Sequence, residues 1–192
     1  GERVERTRAK VAALTRDVST LRTGAEPFLA RIDGLVYGEN PRQGFFDEGA
    51  FVHPDLRFRL QLPSGWRAQN TPQALLAASP QQDAVLQLTL APGSASPEEA
   101  ARQFLSQQGV QPGQPSQLAV NGLRAVASYF QAQAQQGTVQ GLVAFIAHGG
   151  DTYQLVGYAP QQRFGAHDAT FRAAIGSFAP LTDAAALARQ PD

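Results

Sequence analysis

The stretch NGLRAVASYFQAQAQQGTVQGLVAFIAHGGDTYQLVGY, residues 121–158, carries two tight-turn signals between apolar runs. Asn121-Gly122 predicts a two-residue β-hairpin that leads into a long strand. Gly149-Gly150 predicts a second hairpin between two further strands. Because strands joined by such short turns run in opposite directions, the stretch predicts a mostly antiparallel sheet. The predicted strands cover about 123–135, 139–147 and 152–158.

Further strands are predicted upstream of this stretch. Apolar and polar residues alternate over 56–62 and over 85–90, a pattern typical of half-buried strands, with Leu90 facing inward. A turn is expected at residues 63–66, because Pro and Gly punctuate the chain there, and a short strand at 74–78.

Two helices are predicted within the same domain. Ser96 and Glu99 can form a capping box, and Pro97 suits the first helical position, so a helix should run from there to about residue 108. Phe164, Phe171, Ile175 and Phe178 lie on one helical face, which indicates a last helix over about 167–178. The near-continuous apolar strand at 139–147 needs cover on both sides. The sequence therefore predicts an α+β fold, a mostly antiparallel sheet flanked by helices.

The N-terminal residues have a different pattern. Residues 2–22 predict an amphipathic helix with Val11, Leu14 and Val18 on its apolar face and a basic opposite face. Two glycines and a proline within 37–44 indicate turns after a second, shorter helix. The predicted organisation is a helical appendage at 1–36, a linker at 37–50, an α+β domain at 51–180 and a frayed tail at 181–192.

The composition limits the classes of function. With 192 residues and 43% hydrophobic residues the chain can bury a core. Sixteen basic and sixteen acidic residues give no net charge, which argues against a nucleic-acid partner. The absence of cysteine removes disulfides and thiolate metal sites, and no apolar run is long enough to span a membrane. The absence of methionine favours a segment excised from a larger protein over a mature secreted chain.

No catalytic motif is evident. His53, His148 and His167 are far apart in the sequence, and none belongs to a His-Glu-x-x-His pair of zinc ligands. A Gly-x-Ser-x-Gly elbow is lacking, and the single lysine, Lys10, falls within the predicted helix instead of a phosphate loop. We therefore predict no catalytic residue, no cofactor-binding residue and no metal ligand in this chain.

Two segments carry a family resemblance: GLVYGENPRQGFF at 34–46 and FVHPDLRF at 51–58. They resemble the region C-terminal to the catalytic domain in bacterial Ste-type zinc metallopeptidases, the HtpX-like and CAAX prenyl protease-related family. The layout that follows, with Phe58 to Trp66 as strand and turn, is similar to the PsbP/Mog-like sandwich. The resemblance implies a periplasmic or cell-envelope location and a parent protein whose missing catalytic domain binds zinc. His53 matches a strand-entry position of the family and not a ligand.

On this basis the chain is expected to be a non-catalytic accessory domain that positions the protease or its protein substrates. Its partners would be the missing catalytic domain of the same chain and protein substrates. The residues expected to contact that domain are Val11, Leu14, Val18, Phe45 and Phe46. The alternatives are a stand-alone PsbP/Mog-like protein-binding module of the cell envelope and, third, a small hydrolase with a non-standard site.

Overall fold

The computed structural model describes residues 44–93, 95–134 and 137–187. Within these ranges the chain forms a four-stranded and an eight-stranded sheet, both antiparallel. The strands are β1 (Phe45–Asp47), β2 (Ala50–His53), β3 (Phe58–Gln61), β4 (Arg67–Asn70), β5 (Leu75–Ala78), β6 (Val85–Leu90), β7 (Val110–Pro112), β8 (Ser116–Val120), β9 (Leu123–Ala134), β10 (Gly137–His148), β11 (Asp151–Pro160) and β12 (Ala179–Pro180). The helices are α1 (Pro97–Leu105), α2 (Gln161–Gly176) and α3 (Ala184–Leu187).

The large sheet is built around three long strands. Its order is β4-β5-β6-β11-β10-β9-β7, and β8 also pairs with β9. Asn121 and Gly122 have φ angles of 47° and 81°, the left-handed values that a tight hairpin of this kind requires. Gly149 and Gly150 turn the chain between β10 and β11 with φ angles of 63° and 93°. Both predicted hairpins and the antiparallel pairing are therefore confirmed.

The small sheet has the order β1-β2-β3-β12 and packs against the large one through aromatic rings. Phe58 of β3 stacks on Phe178, with ring centroids 5.1 Å apart, and meets Tyr153 of β11 edge-on at 5.1 Å. The backbone N–H of Leu181, just after β12, donates a hydrogen bond to Arg57 O at 2.8 Å. This hydrogen bond ties the segment that follows β12 to the residue that precedes β3.

The core lies on both faces of β9, β10 and β11. On one face Leu142, Ala144 and Ile146 pack with α2 and the small sheet. On the other face Val143 and Phe145 pack with α1. The sequence-based interpretation of residues 139–147, which lie in β10, as buried on both sides is confirmed.

The predicted fold class is wrong, because it gives the helices too large a share of the fold relative to the sheets. In the described part of the chain the sheets dominate, and a second sheet stands where a single helix-flanked sheet was predicted. Of the small-sheet strands, β3 was predicted from its alternation, but β1, β2 and β12 are two to four residues long, too short for a period-2 pattern to stand out. Helix α1 has nine residues and α2 sixteen, so each covers only part of one face.

Several boundaries also differ from those predicted. The capping box of Ser96 and Glu99 is present, but α1 ends at Leu105. Helix α2 begins at Gln161, six residues before the predicted start, and so includes Phe164, which the sequence pattern had already placed on the apolar face of this helix. Leu90 is 50% exposed and not inward-facing, since β6 ends there at the margin of the sheet.

The described residues include part of the predicted linker and part of the predicted tail. Residues 44–50, predicted as linker, form β1 and its turn into β2, because Phe45 and Phe46 supply apolar side chains to the domain. Leu181, the first residue of the predicted frayed tail, is buried against Phe45 and Val52. The helical appendage at 1–36 and its contact residues Val11, Leu14 and Val18 lie outside the described residues, so they stay predictions.

Candidate binding groove

A groove opens where the chain crosses from the small sheet to the large one. The crossing segment, residues 62–66, connects β3 to β4, and Gly65 has a φ of 77°, which favours glycine. The backbone N–H of Trp66 donates a hydrogen bond to Pro63 O at 3.1 Å. The predicted turn at this point is confirmed, and it places the single tryptophan of the chain at the wall of the groove.

The groove has a volume of about 430 Å³. Ordinary ligand pockets measure roughly 300–1,000 Å³ and are mostly apolar with a few polar groups. Here Phe46, Leu62 and Trp66 supply large apolar side chains, while Glu48 and Gln61 are polar. The remaining lining residues are Gly49, Pro63, Ser64, Gly65 and Ala68.

Trp66 is held from one side by helix α2. Its ring meets His167 edge-on at 5.9 Å and Phe171 edge-on at 6.0 Å. Phe171 is itself fully buried, so it is a rigid support. With that side fixed and the residue half-buried, the indole presents a preformed aromatic surface to the groove.

Phe46 forms the other aromatic side of the groove and is also supported from behind. Its ring lies 5.5 Å from that of Phe51, which is 2% exposed. The chain enters β1 through Gly44, where a Cβ atom would come within 2.3 Å of Phe51 Cζ. The close approach and the φ of 90° explain why glycine occupies this position.

The tip of the β1–β2 hairpin forms a polar rim. Gln61 Nε2 donates a hydrogen bond to Gly49 O at 3.0 Å, which ties the tip to β3. Glu48 is exposed and has a φ of 46° in the turn. Among the described residues that line the groove, Glu48 carries the only charge, so the rim favours a positively charged ligand.

A polar cluster lies behind Trp66 and is centred on Asp83, in the turn before β6. Ser79 Oγ donates to Asp83 Oδ1 at 2.8 Å, and Arg163 Nε donates to Oδ2 at 3.0 Å. His167 Nε2 lies 3.0 Å from Oδ1. Burial alone would raise the pKa of Asp83, but together the bonds from Ser79, Arg163 and His167 hold it below its ordinary value. The cluster ties α2 to the turn between β5 and β6 of the large sheet.

The same cluster contains the residue types of a Ser-His-Asp triad in the wrong arrangement. In a triad the histidine stands between the serine and the carboxylate and takes the serine proton. Here Ser79 and His167 both bind the same oxygen of Asp83, and Ser79 is 2% exposed. The geometry fits a structural clamp and not a nucleophile.

The three histidines are each engaged with the protein. His53 Nδ1 accepts a hydrogen bond from Leu56 N at 3.3 Å, and burial lowers the pKa of His53, against the smaller opposing effect of Asp55. His148 Nε2 lies 2.9 Å from Arg57 O. Within the described ranges, no three acidic or histidine side chains are grouped so as to hold a metal ion.

Phe45 and Phe46, the two described residues among those predicted to contact another domain, lie in different surroundings. Phe45 is 4% exposed and packs inside the domain against Val52 and Leu181, whereas Phe46 lines the groove. Trp66, which sequence reasoning placed only in a turn, is the largest groove side chain. Its position as the single tryptophan beside a Pro-Ser-Gly turn was the one available signal.

Comparisons with known proteins bear on the fold. No protein-family model and no curated protein matches this chain. The solution structure of cyanobacterial PsbP (CyanoP) from Synechocystis is similar, with a TM-score of 0.53, 12% identity, and cover of 78% of this chain and 99% of that chain. A Bacteroides thetaiotaomicron structure has a TM-score of 0.51 and 16% identity, and the match spans 70% of this chain and 49% of that one.

A third similar structure is the Saccharomyces cerevisiae Ran-binding protein Mog1p, with a TM-score of 0.49, 9% identity, and cover of 75% and 100%. The likeness to CyanoP shows the fold, which is PsbP-like, and confirms that part of the sequence resemblance. The comparisons give no support to a zinc metallopeptidase parent. No helix in the described ranges has the length and apolar character needed to cross a membrane.

Proposed function

We propose that this chain is a non-catalytic binding module that holds a segment of a partner protein in the groove between its two sheets. The observation that carries the proposal is the groove itself, with Trp66 and Phe46 fixed from behind and Glu48 at the rim. Aromatic residues in preformed surfaces are frequent anchors of protein–protein contacts.

The lining defines the chemistry of the partner. Apolar side chains of the partner would pack on Trp66, Leu62 and Phe46, and a neighbouring Arg or Lys would face Glu48. An amphipathic helix with anchors at i, i+3 and i+7 and a basic flank meets these requirements. The proposal therefore commits to a basic, amphipathic protein segment.

A more specific proposal is that the partner is a zinc metallopeptidase to which this chain belongs as an accessory domain. The resemblance of residues 34–58 to Ste-type zinc metallopeptidases supports an accessory domain that positions a protease or its substrates in the periplasm or cell envelope. Phe46, one of the predicted contact residues, lines the groove and would then contact the catalytic domain. The full-length gene decides: an upstream His-Glu-x-x-His supports this role, and a lipobox at its start supports a stand-alone module.

The binding proposal is tested with two synthetic peptides of about four helical turns that share leucines at i, i+3 and i+7. One peptide carries arginines on its flank and the other carries glutamates at the same positions. Trp66, the only tryptophan, reports on the groove directly. We expect the basic peptide to cause a saturable blue shift of Trp66 emission and the acidic peptide to cause none.

The matched control is Glu48→Lys, which reverses the rim charge on an exposed side chain. We expect it to weaken binding of the basic peptide about fivefold, the order of effect found for exposed charge pairs. If the basic peptide leaves Trp66 emission unchanged, or if both peptides bind equally, the proposed recognition is wrong.

A further inference from the structure

We propose that two copies of this chain pair through β8, the strand at one edge of the large sheet, so that the two large sheets join into one. The inference does not rest on the proposed function, because the groove lies beside β4, at the opposite edge of the sheet. It assigns an interaction surface to residues 116–120 and names a second copy of the chain as the partner.

The backbone of β8 has hydrogen-bonding groups that point away from the sheet. The two-residue turn that follows β8 makes Val120 and Leu123 a hydrogen-bonded pair. Hydrogen-bonded and non-hydrogen-bonded pairs alternate along an antiparallel ladder, so the N–H and C=O groups of Gln117 and Ala119 face away from β9. Both residues are exposed, and within the described ranges no strand other than β9 pairs with β8. These groups can therefore bind a further extended strand.

The side chains of β8 do not protect this edge. Natural sheet edges are usually protected from pairing with another chain by charged residues, prolines or bulges. The strand SQLAV has neither a charge nor a proline, and its register against β9 contains no bulge. The preceding part of the same edge differs, because Pro112 of β7 and Pro115 lack the N–H group that a pairing strand needs. Pairing with another chain is thus restricted to β8.

The register of β8 selects a second copy as the partner. When β8 pairs antiparallel with itself about Leu118, Gln117 lies opposite Ala119 of the second copy, and the two Gln117–Ala119 pairs form four backbone hydrogen bonds. The two Leu118 residues then face each other in a non-hydrogen-bonded pair, in which side chains approach most closely. Leu118 is 38% exposed, and this contact covers it. Each interaction occurs twice about one axis, as an interface with two-fold symmetry requires.

Charge does not oppose this arrangement. Arg124, opposite Ala119, is the one charged residue of β9. In the paired sheet the two Arg124 residues are separated by three strand spacings, about 14 Å. This distance exceeds the Debye length of about 8 Å at physiological ionic strength. Arg124 also has Glu98 of its own chain at 3.8 Å.

The small size of the contact sets the strength of the dimer. Stable interfaces bury more than about 1,000 Å², and one strand of five residues offers less. We therefore expect a weak dimer, with a dissociation constant on the order of 100 µM. Sedimentation velocity of the full chain from about 10 µM to 1 mM should show the average mass rising from that of one chain towards that of two.

A lysine substitution at each of two exposed leucines tests the position of the contact. Leu118→Lys places two like charges opposite each other and should weaken the dimer at least tenfold, more in low salt than in high salt. Leu90→Lys is the matched control, since Leu90 is 50% exposed and lies at the end of β6. The control should dimerise like the native chain.

A second variant tests the backbone pairing. The N–H group of Ala119 faces away from β9, so Ala119→Pro removes no hydrogen bond within the sheet. It should leave the urea unfolding midpoint nearly unchanged and weaken the dimer at least tenfold, because it removes two of the four hydrogen bonds between the copies.

Amide hydrogen exchange tests the register directly. At about 1 mM most chains are paired, so exchange at Gln117 and Ala119 should be about fivefold slower than at 10 µM. Exchange at Leu118 and Val120, whose N–H groups face β9, should be the same at both concentrations.

The inference is overturned if the chain has the mass of a monomer at 1 mM, or if the two lysine variants dimerise equally. It is also overturned if exchange at Gln117 and Ala119 does not depend on concentration, because the copies would then meet elsewhere. Trp66 emission separates this result from the proposed function. Pairing through β8 should leave the emission unchanged on dilution, whereas a concentration-dependent shift would place the second copy in the groove and contradict pairing through β8.

Discussion

The centre of the large sheet and the groove beside it are built in opposite ways. At the centre, Val143, Ala144, Phe145 and Ile146 are at most 1% exposed, and long strands hold them in continuous register. At the groove, half-buried Phe46 and Trp66 come from short segments that meet only in the folded chain. The difference indicates that the centre supplies stability, while the groove is the part of the domain to which the proposed function assigns recognition.

The largest effect is expected at the centre. Phe145→Ala should lower the free energy of unfolding by about 3–5 kcal/mol, because the ring is buried and leaves a cavity. Leu90→Ala is the control, since Leu90 is 50% exposed and should cost less than about 1 kcal/mol. Urea unfolding of both variants measures the difference. Equal losses would show that the centre does not dominate stability.

The second prediction tests the connection between the two regions. In Gly157→Ala the added Cβ would lie 2.2 Å from Phe171 Cδ1, and the strain should cost about 1–3 kcal/mol. Because Phe171 supports Trp66, Trp66 emission should also change.

Gly165 in α2 supplies the control for this prediction. A Cβ there meets nothing within 4 Å, so Gly165→Ala should stabilise the domain by about 0.5–1 kcal/mol. If Gly157→Ala unfolds at the same urea concentration as the native protein and keeps its Trp66 emission, the packing of β11 on α2 does not support the groove wall.

The same contrast explains what the sequence could predict. Strands β9 to β11 were predictable because long apolar runs are bounded by Asn-Gly and Gly-Gly turns, which act locally. The groove could not be predicted from the sequence, because its walls come from β1, the end of β3 and the turn at Trp66. No local sequence pattern relates these segments. The Asp83 clamp likewise joins His167 to a residue 84 positions away.

The third prediction concerns that clamp. Asp83→Asn should cost about 1–2 kcal/mol at neutral pH, because hydrogen bonds to a charged group are replaced by weaker neutral ones. The folded pKa of Asp83 is below its ordinary value of 3.8, so its contribution is present above that pH. It is lost as the pH falls from 3.8 through the lowered folded pKa.

Unfolding curves of the native and Asp83→Asn proteins at several pH values check the sign. The difference between them should be constant from neutral pH down to about 4 and shrink at lower pH. A difference that grows on acidification would mean that the carboxylate is not stabilised in its charged form by Ser79 and Arg163.

The smallest effect on stability is expected at the groove rim, which differs most from the buried centre of the large sheet. Glu48 is exposed in a turn with a φ of 46°, and lysine adopts this backbone no more easily than glutamate, so Glu48→Lys changes charge alone. The free energy of unfolding should stay within about 0.5 kcal/mol of the native value. Glu48→Gln keeps the shape without the charge and should lie between the two in peptide affinity. A loss of stability in Glu48→Lys but not in Glu48→Gln would mean that the rim charge serves the fold, and the division between a stabilising centre and a recognising groove would fail.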